Sequence, residues 1–197
     1  MPFHLRNYRA PALLAVLLFM GPMGPSHAAD DPWVNEARTV AAAVPPKLIN
    51  MLSDAIAASG PDGAIAVCRD KAPAMARAAS EQTGWQIRRV SQGNRNPLAV
   101  PDAWEASVLA DFDRRAAAGE DLSKLERHEV VTTDGVRQQR YLKALPTQQL
   151  CTSCHGKPDD LAPGVAARLR ELYPNDRATG YQVGQIRGAL ALRRPAP

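Results

Sequence analysis

His128-Glu129-Val130-Val131-Thr132-Thr133-Asp134-Gly135-Val136-Arg137-Gln138-Gln139-Arg140-Tyr141-Leu142 reads as two extended runs joined by Asp-Gly. Asp-Gly tolerates the positive φ values a tight turn demands, which makes this the strongest hairpin signal in the chain. Upstream, Gly84-Trp85-Gln86-Ile87-Arg88-Arg89-Val90 alternates large apolar and polar residues and ends in the loop Ser91-Gln92-Gly93-Asn94, giving a third strand. Downstream, a turn at Tyr181 to Gly184 opens a last strand from Gln185 to Leu192, after which Arg193-Arg194 and two prolines are expected to form a frayed basic tail. Antiparallel strands beside helices, with no strand-helix-strand repeat, give an α+β domain.

The helices follow from apolar spacing. One begins at Asp30 and carries Trp33, Val34, Ala37, Val40 and Ala41 on one side, ending at Pro45-Pro46. A second repeats Leu48, Ile49, Leu52 and Ile56 on one face and stops at Ser59-Gly60-Pro61-Asp62-Gly63. A third has the inward stripe Ile65, Cys68, Ala72 and Met75 or Ala76. Asp102 caps a helix with Trp104, Val108, Leu109 and Phe112 on one face, ending near Gly119. Pro163 opens a short helix with Val165, Ala166, Leu169 and Leu172 inside, and Tyr173-Pro174-Asn175-Asp176 stops it.

Between hairpin and last helix stands Cys151-Thr152-Ser153-Cys154-His155, which reads as the covalent attachment site of one c-type haem. Each thiol adds to a vinyl group, and the two-residue spacer on a helical turn sets the sulfurs at the right separation. The adjacent imidazole meets the iron as an axial ligand. C-x-x-C also occurs in zinc sites, thiol oxidoreductases and tight disulfides. Four-ligand zinc needs a second cysteine or histidine pair, and Cys68 and His128 make no recognisable pair. A redox C-x-x-C opens a helix after a strand in a βαβ unit, which is not the context here. Neither alternative explains His155.

The chain has 197 residues, three cysteines and a formal charge of +4. Arg6 and Arg9 precede the apolar run Ala10 to Met20 and the small residues Ser26-His27-Ala28, the order of a cleaved export signal over 1–28. Removal of those two arginines takes the formal net charge from +4 to +2, so nucleic-acid binding is not indicated. The apolar run is short for a membrane span and is broken by Gly21-Pro22 and Gly24-Pro25, so no stable membrane insertion is expected. The expected product is one domain over 29–197, soluble in the periplasm. Cys68 is then left over in an oxidising compartment. By the residues alone it packs as a small hydrophobe, as buried free cysteines often do.

Several stretches taken together resemble a family of exported single-haem c-type cytochromes of unknown function with a PAS-like haem domain. The stretches are Ala64-Ile65-Ala66-Val67-Cys68, Trp85 to Ser91 with Arg95-Asn96-Pro97, Cys151 to Gly156, Tyr173-Pro174 with Asp176 and Ala178, Gly180-Tyr181, Gly184, and Arg187-Gly188-Ala189. Ala99 and Gln185 depart from the usual pattern. The resemblance implies a PAS-like antiparallel sheet flanked by helices, and Cys68 as the second iron ligand opposite His155. A cysteine near ferric iron loses its proton and binds as thiolate. The rival ligand is His128, read as a solvated surface histidine, with Met51 and Met75 behind it. Haem propionates need cationic partners, for which Arg88, Arg89, Arg95 and Arg187 are candidates. Strand alternation sends Arg88 and Arg89 to opposite faces, so at most one of them serves.

With two protein ligands on iron and no separate catalytic set, the expected function is non-enzymatic: electron transfer or redox sensing with an unidentified partner protein. The alternatives are a haem-based gas sensor and, if no haem is attached, a zinc-stabilised binding module.

Overall fold

The computed structural model describes Met1 and residues 31–197. The expected signal over 1–28 and its cleavage at Ala28 lie outside the described residues, Met1 apart. The first element, α1 (Pro32–Thr83), is 52 residues long but not straight. Gly60 breaks it with φ 73° and ψ 171°, a conformation open to glycine because it lacks a Cβ. Ala37 and Ala41 from the first arm meet Ala79 from the second in one cluster around Trp85. An unbroken helix would hold Ala37 and Ala79 about 60 Å apart, so the chain doubles back at Gly60. The expected stop at Ser59 to Gly63 is therefore the bend of a helical hairpin. The expected break at Pro45-Pro46 is not there, because the helix runs through both prolines. Burial of Ala37, Ala41 and half-buried Val40 and Val44 on the sheet outweighs the backbone hydrogen bonds the prolines remove.

The sheet comprises β1 (Gln86–Val90), β2 (Glu126–Thr133), β3 (Val136–Pro146) and β4 (Ile186–Pro195) in the order β1-β4-β3-β2. All pairings are antiparallel, and the β2–β3 hairpin turns at Asp134 (φ 51°) and Gly135 (φ 76°). The last strand fills the gap between the first and third, and its residues from Ile186 to Leu192 are all buried. Alternation shares them between two layers. Ala189 and Ala191 join Val108, Leu109 and Phe112 of α2 (Ala103–Ala117), while Leu190 and Leu192 join Ala37, Ala41 and Trp85. The α+β expectation is met: a four-stranded antiparallel sheet with helices on both faces.

The expected frayed tail is instead strand. Arg193 pairs with Gln86 and Arg140, and Arg194 with Gln139. Arg194 also makes two 2.8 Å hydrogen bonds to Glu36 and stacks 4.1 Å over the Trp85 ring, which ties the end of the chain to the start of α1. Two short helices complete the fold, α3 (Gln149–His155) and α4 (Val165–Leu172). Val165 and Leu169 of α4 are buried against Ile65 of the second α1 arm, whereas Ala166, expected inside, is exposed. Among the described residues no helix is long and apolar enough to cross a membrane.

Candidate functional site

Helix α3 has seven residues, and its spacing does the placing. Cys151 and Cys154 are three apart and Cys151 and His155 four apart, so all three side chains leave one side of a single turn. The tip of the α1 hairpin closes over them: the Cys154 thiol reaches the Pro61 carbonyl at 3.8 Å. Ile65, Val165 and Leu169 pack with half-buried Cys154, Leu161, Ala162, Leu172 and Tyr173 as an apolar wall. Cys68 lies two turns beyond Pro61 on the same arm, half-buried. Burial pushes its thiol pKa up, against the opposing pull of Arg89 and Arg95. The Cys154 thiol is pushed up to about 11, chiefly by burial and with Cys68 and Cys151 adding to it. Arg95 opposes that rise, and the influence of Cys68 and Cys151 on Cys154 places the three thiols in one electrostatic neighbourhood.

The imidazole of His155 is held from behind. Its Nδ1 lies 2.6 Å from the Ala178 carbonyl, which only accepts, so Nδ1 carries the proton and the Nε2 lone pair is left free. Burial, then the charges of Arg187, Arg95 and Arg89, hold its pKa well below the ordinary histidine value, and the ring is neutral. Arg187 Nε stands 3.2 Å from the same Nδ1. Two N–H groups facing each other do not bond, so Arg187 acts on the ring as a charge. Its Nη1 donates to Ser91 Oγ and Gly93 O, both at 2.9 Å, and its guanidinium lies 4.9 Å from the Tyr181 ring centre.

Arg187 reaches this face through an irregularity. Counting back by twos from Ala191 and Ala189 would put Arg187 on the α2 side. The β3–β4 register slips between Leu145 and Pro146, Ile186 takes the α2 side instead, and Arg187 is the residue left over. Gly188 permits this with φ 148°, and a Cβ there would stand 2.3 Å from the Val90 carbonyl. Gly188→Ala is therefore expected to cost about 2–3 kcal/mol of stability. Urea unfolding checks it, and a loss under about 0.5 kcal/mol would contradict it.

The four candidate arginines separate. Arg89 shares its β1 face with Ile87, toward α1, and its charge is felt by Cys68. Burial lowers its pKa, with Cys151 and Cys68 opposing, and its buried Nε has no hydrogen-bond partner. Arg187 is pulled down to about 9 by burial and then by Arg89. Arg95 donates to the Cys154 carbonyl at 2.7 Å and to both oxygens of Asp176. Arg88 turns the other way, to the Leu98 and Val100 carbonyls and Glu105, so its proposed place beside a cofactor is not where the structure puts it. His128 is also elsewhere, half-buried on β2 with its ring edge-on to Trp33 at 5.9 Å. Met51 and Met75 sit half-buried on the two arms of α1.

A covalent haem fits these residues. Two thiols and an unprotonated Nε2 belong to one turn of α3, and three buried or half-buried guanidiniums lie about it with only Arg95 ion-paired among the described residues, to Asp176. Such an excess of cation, with an orphaned Arg89 Nε, is matched by a group bearing carboxylates. The zinc alternative lacks a ligand set: among the described residues, no group of three or more His, Cys, Asp or Glu is placed to hold a metal ion. By sequence Asp176 reads as part of a helix stop, and neither it nor the Ala178 carbonyl has an assigned role in the site. The available signal was local, an Asp whose side chain takes the N–H two residues on, at 3.0 Å.

The family model described as Tll0287-like matches residues 26–195. A solved structure, the crystal structure of the cyanobacterial heme-protein Tll0287, superposes with a TM-score of 0.64 at 24% sequence identity, covering 86% of this chain and 98% of the other. No curated protein matches the sequence.

Proposed function

The chain belongs to the Tll0287-like family, and from that premise we propose that it is a periplasmic mono-haem c-type cytochrome, a non-enzymatic protein that carries an electron or reports redox poise to a partner protein. The observation that carries this reading is the arrangement on α3: two thiols three residues apart and a neutral imidazole whose Nδ1–H donates to Ala178 O, leaving Nε2 for iron. A heme-protein of the same fold supports it. When bound, the haem supplies a one-electron couple.

The chain's residues do the rest. Cys151 and Cys154 would hold the group covalently, and His155 and Cys68 would ligate its iron. With both iron ligands supplied by the protein, the chemistry the group would supply is electron exchange rather than turnover. Arg89, with its unpartnered Nε, and Arg187 receive the carboxylates. Ile65, Val165 and Leu169 keep water from one side of the centre.

The test is intact-mass analysis of the protein expressed with haem-maturation machinery. The expected product is the polypeptide plus one haem that survives acid-acetone extraction. Bound zinc in place of iron, or haem that extracts freely, would overturn the reading.

A further inference from the structure

Arg95 was a candidate partner for a haem carboxylate, and its Nε and Nη2 are engaged within the protein. Its Nε and Nη2 grip Asp176 Oδ1 and Oδ2 at 3.1 Å each, and Nη2 also donates to the Cys154 carbonyl at 2.7 Å. Asp176 Oδ1 accepts the Ala178 N–H at 3.0 Å, and the Ala178 carbonyl accepts a hydrogen bond from the His155 Nδ1–H at 2.6 Å. The loop closes on itself: α3 backbone to Arg95, Arg95 to Asp176, Asp176 to Ala178, Ala178 back to the α3 histidine. Both charged side chains are 11% exposed, so the pair is screened little by solvent. Further bonds fix the same segment, from Gly180 N–H to Gly156 O at 2.7 Å, from Tyr181 N–H to His155 O at 2.9 Å and from Arg177 N–H to Asn94 O at 3.1 Å.

We propose that Asp176 and Arg95 are positioning residues that act on the centre through His155: their ion pair holds the Ala178 carbonyl against Nδ1 and the α3 backbone in register with it, fixing the tautomer and direction of the imidazole. The proposal rests on the reading of His155 as an axial ligand. A residue that hydrogen-bonds the far nitrogen of a ligating histidine governs its orientation and donor strength. Here that residue is a backbone carbonyl, which cannot be mutated, so the control lies one step back in a carboxylate and a guanidinium.

The experiment uses the full chain in two forms. In reduced haem-loaded protein carrying Cys68→Ala, resonance Raman reads the iron–histidine stretch. Asp176→Ala and Arg95→Ala should each shift that band down and broaden it, and the double variant should move it no further than either alone, because the two act as one unit. Arg88→Ala, which breaks a different arginine–carboxylate pair, should leave the band in place. In chain made without haem, ¹⁵N NMR of His155 reads the tautomer directly. The Nδ1-protonated form should dominate and give way to a mixture in Asp176→Ala, while Asp176→Asn, which retains an acceptor for the Ala178 amide, should preserve much of it. An unchanged tautomer in folded Asp176→Ala, or an unchanged Raman band, would overturn the proposal. If no haem attaches to the native sequence, the cytochrome reading fails, and the NMR arm still decides whether the clamp exists.

Discussion

Cys68→Ala is expected to raise the midpoint potential of the haem-loaded protein, to alter its ferric spectrum and low-spin electron paramagnetic resonance signal, and to open the iron to carbon monoxide or imidazole. In the free chain the Cys68 thiol is protonated, since burial pushes its pKa up. A coordinating thiol is deprotonated outright, so as the proposed second ligand Cys68 would bind as an anion and favour the ferric state. Removing that charge takes away a preferential stabilisation of Fe(III). Axial ligation spans ~0.8 V across haem proteins, and the expected rise is a sizeable fraction of it. Arg89 and Arg95 bear on the same balance, because their charges favour the thiolate against burial. His128→Ala is the control and should change little, as its ring packs on Trp33. Redox titration and carbon monoxide binding settle the matter. An unmoved potential in Cys68→Ala beside a large change in His128→Ala would make His128 the second ligand and return Cys68 to ordinary packing.

Glu105→Ala is expected to remove about 3–5 kcal/mol of stability, the usual cost of taking one partner from a buried ion pair. Glu105 is 1% exposed and lies between two arginines. Arg88 of β1 bonds it directly, and Arg140 of β3 approaches at 3.3 Å while also bonding Asp102. The same carboxylate accepts the Asp102 N–H at 2.9 Å, and its own N–H is accepted by Asp102 Oδ1 at 2.9 Å, closing the capping box of α2. Alanine leaves the buried Arg140, whose guanidinium lies 4.6 Å from the Trp104 ring centre, short of charge compensation. Thermal unfolding should shift down by on the order of 10 °C for a domain of this size. Arg114→Ala breaks an exposed pair with Asp111 and should cost at most about 1 kcal/mol. A comparable small loss in Glu105→Ala would show that the network contributes little beyond its helix cap.

The sequence by itself determined the elements whose cause is local. Asp134-Gly135 forces a turn wherever the two strands lie, because its positive φ values are a property of those residues. Asp102 and Glu105 cap α2 through bonds three residues apart. Cys151, Cys154 and His155 share one turn of helix because 3.6 residues complete it, which made the site's nucleus legible from five letters. Long-range effects decided the rest. Pro45-Pro46 reads as a stop, and only packing of α1 on the sheet overrides it. Arg193-Arg194 looks like a solvated tail, yet pairing with β1 and β3 and the Glu36 ion pair make it strand. Alternation correctly separated Arg88 from Arg89 but would have sent Arg187 to the wrong face, since the register slip beside Gly188 depends on where Val90 lies. Arg95 belongs to Asp176 and Cys154 rather than to open space because residues 81 and 59 positions away meet it in three dimensions. Local geometry is written in neighbouring residues, whereas the partner of a buried charge is chosen by the packing that brings distant segments together.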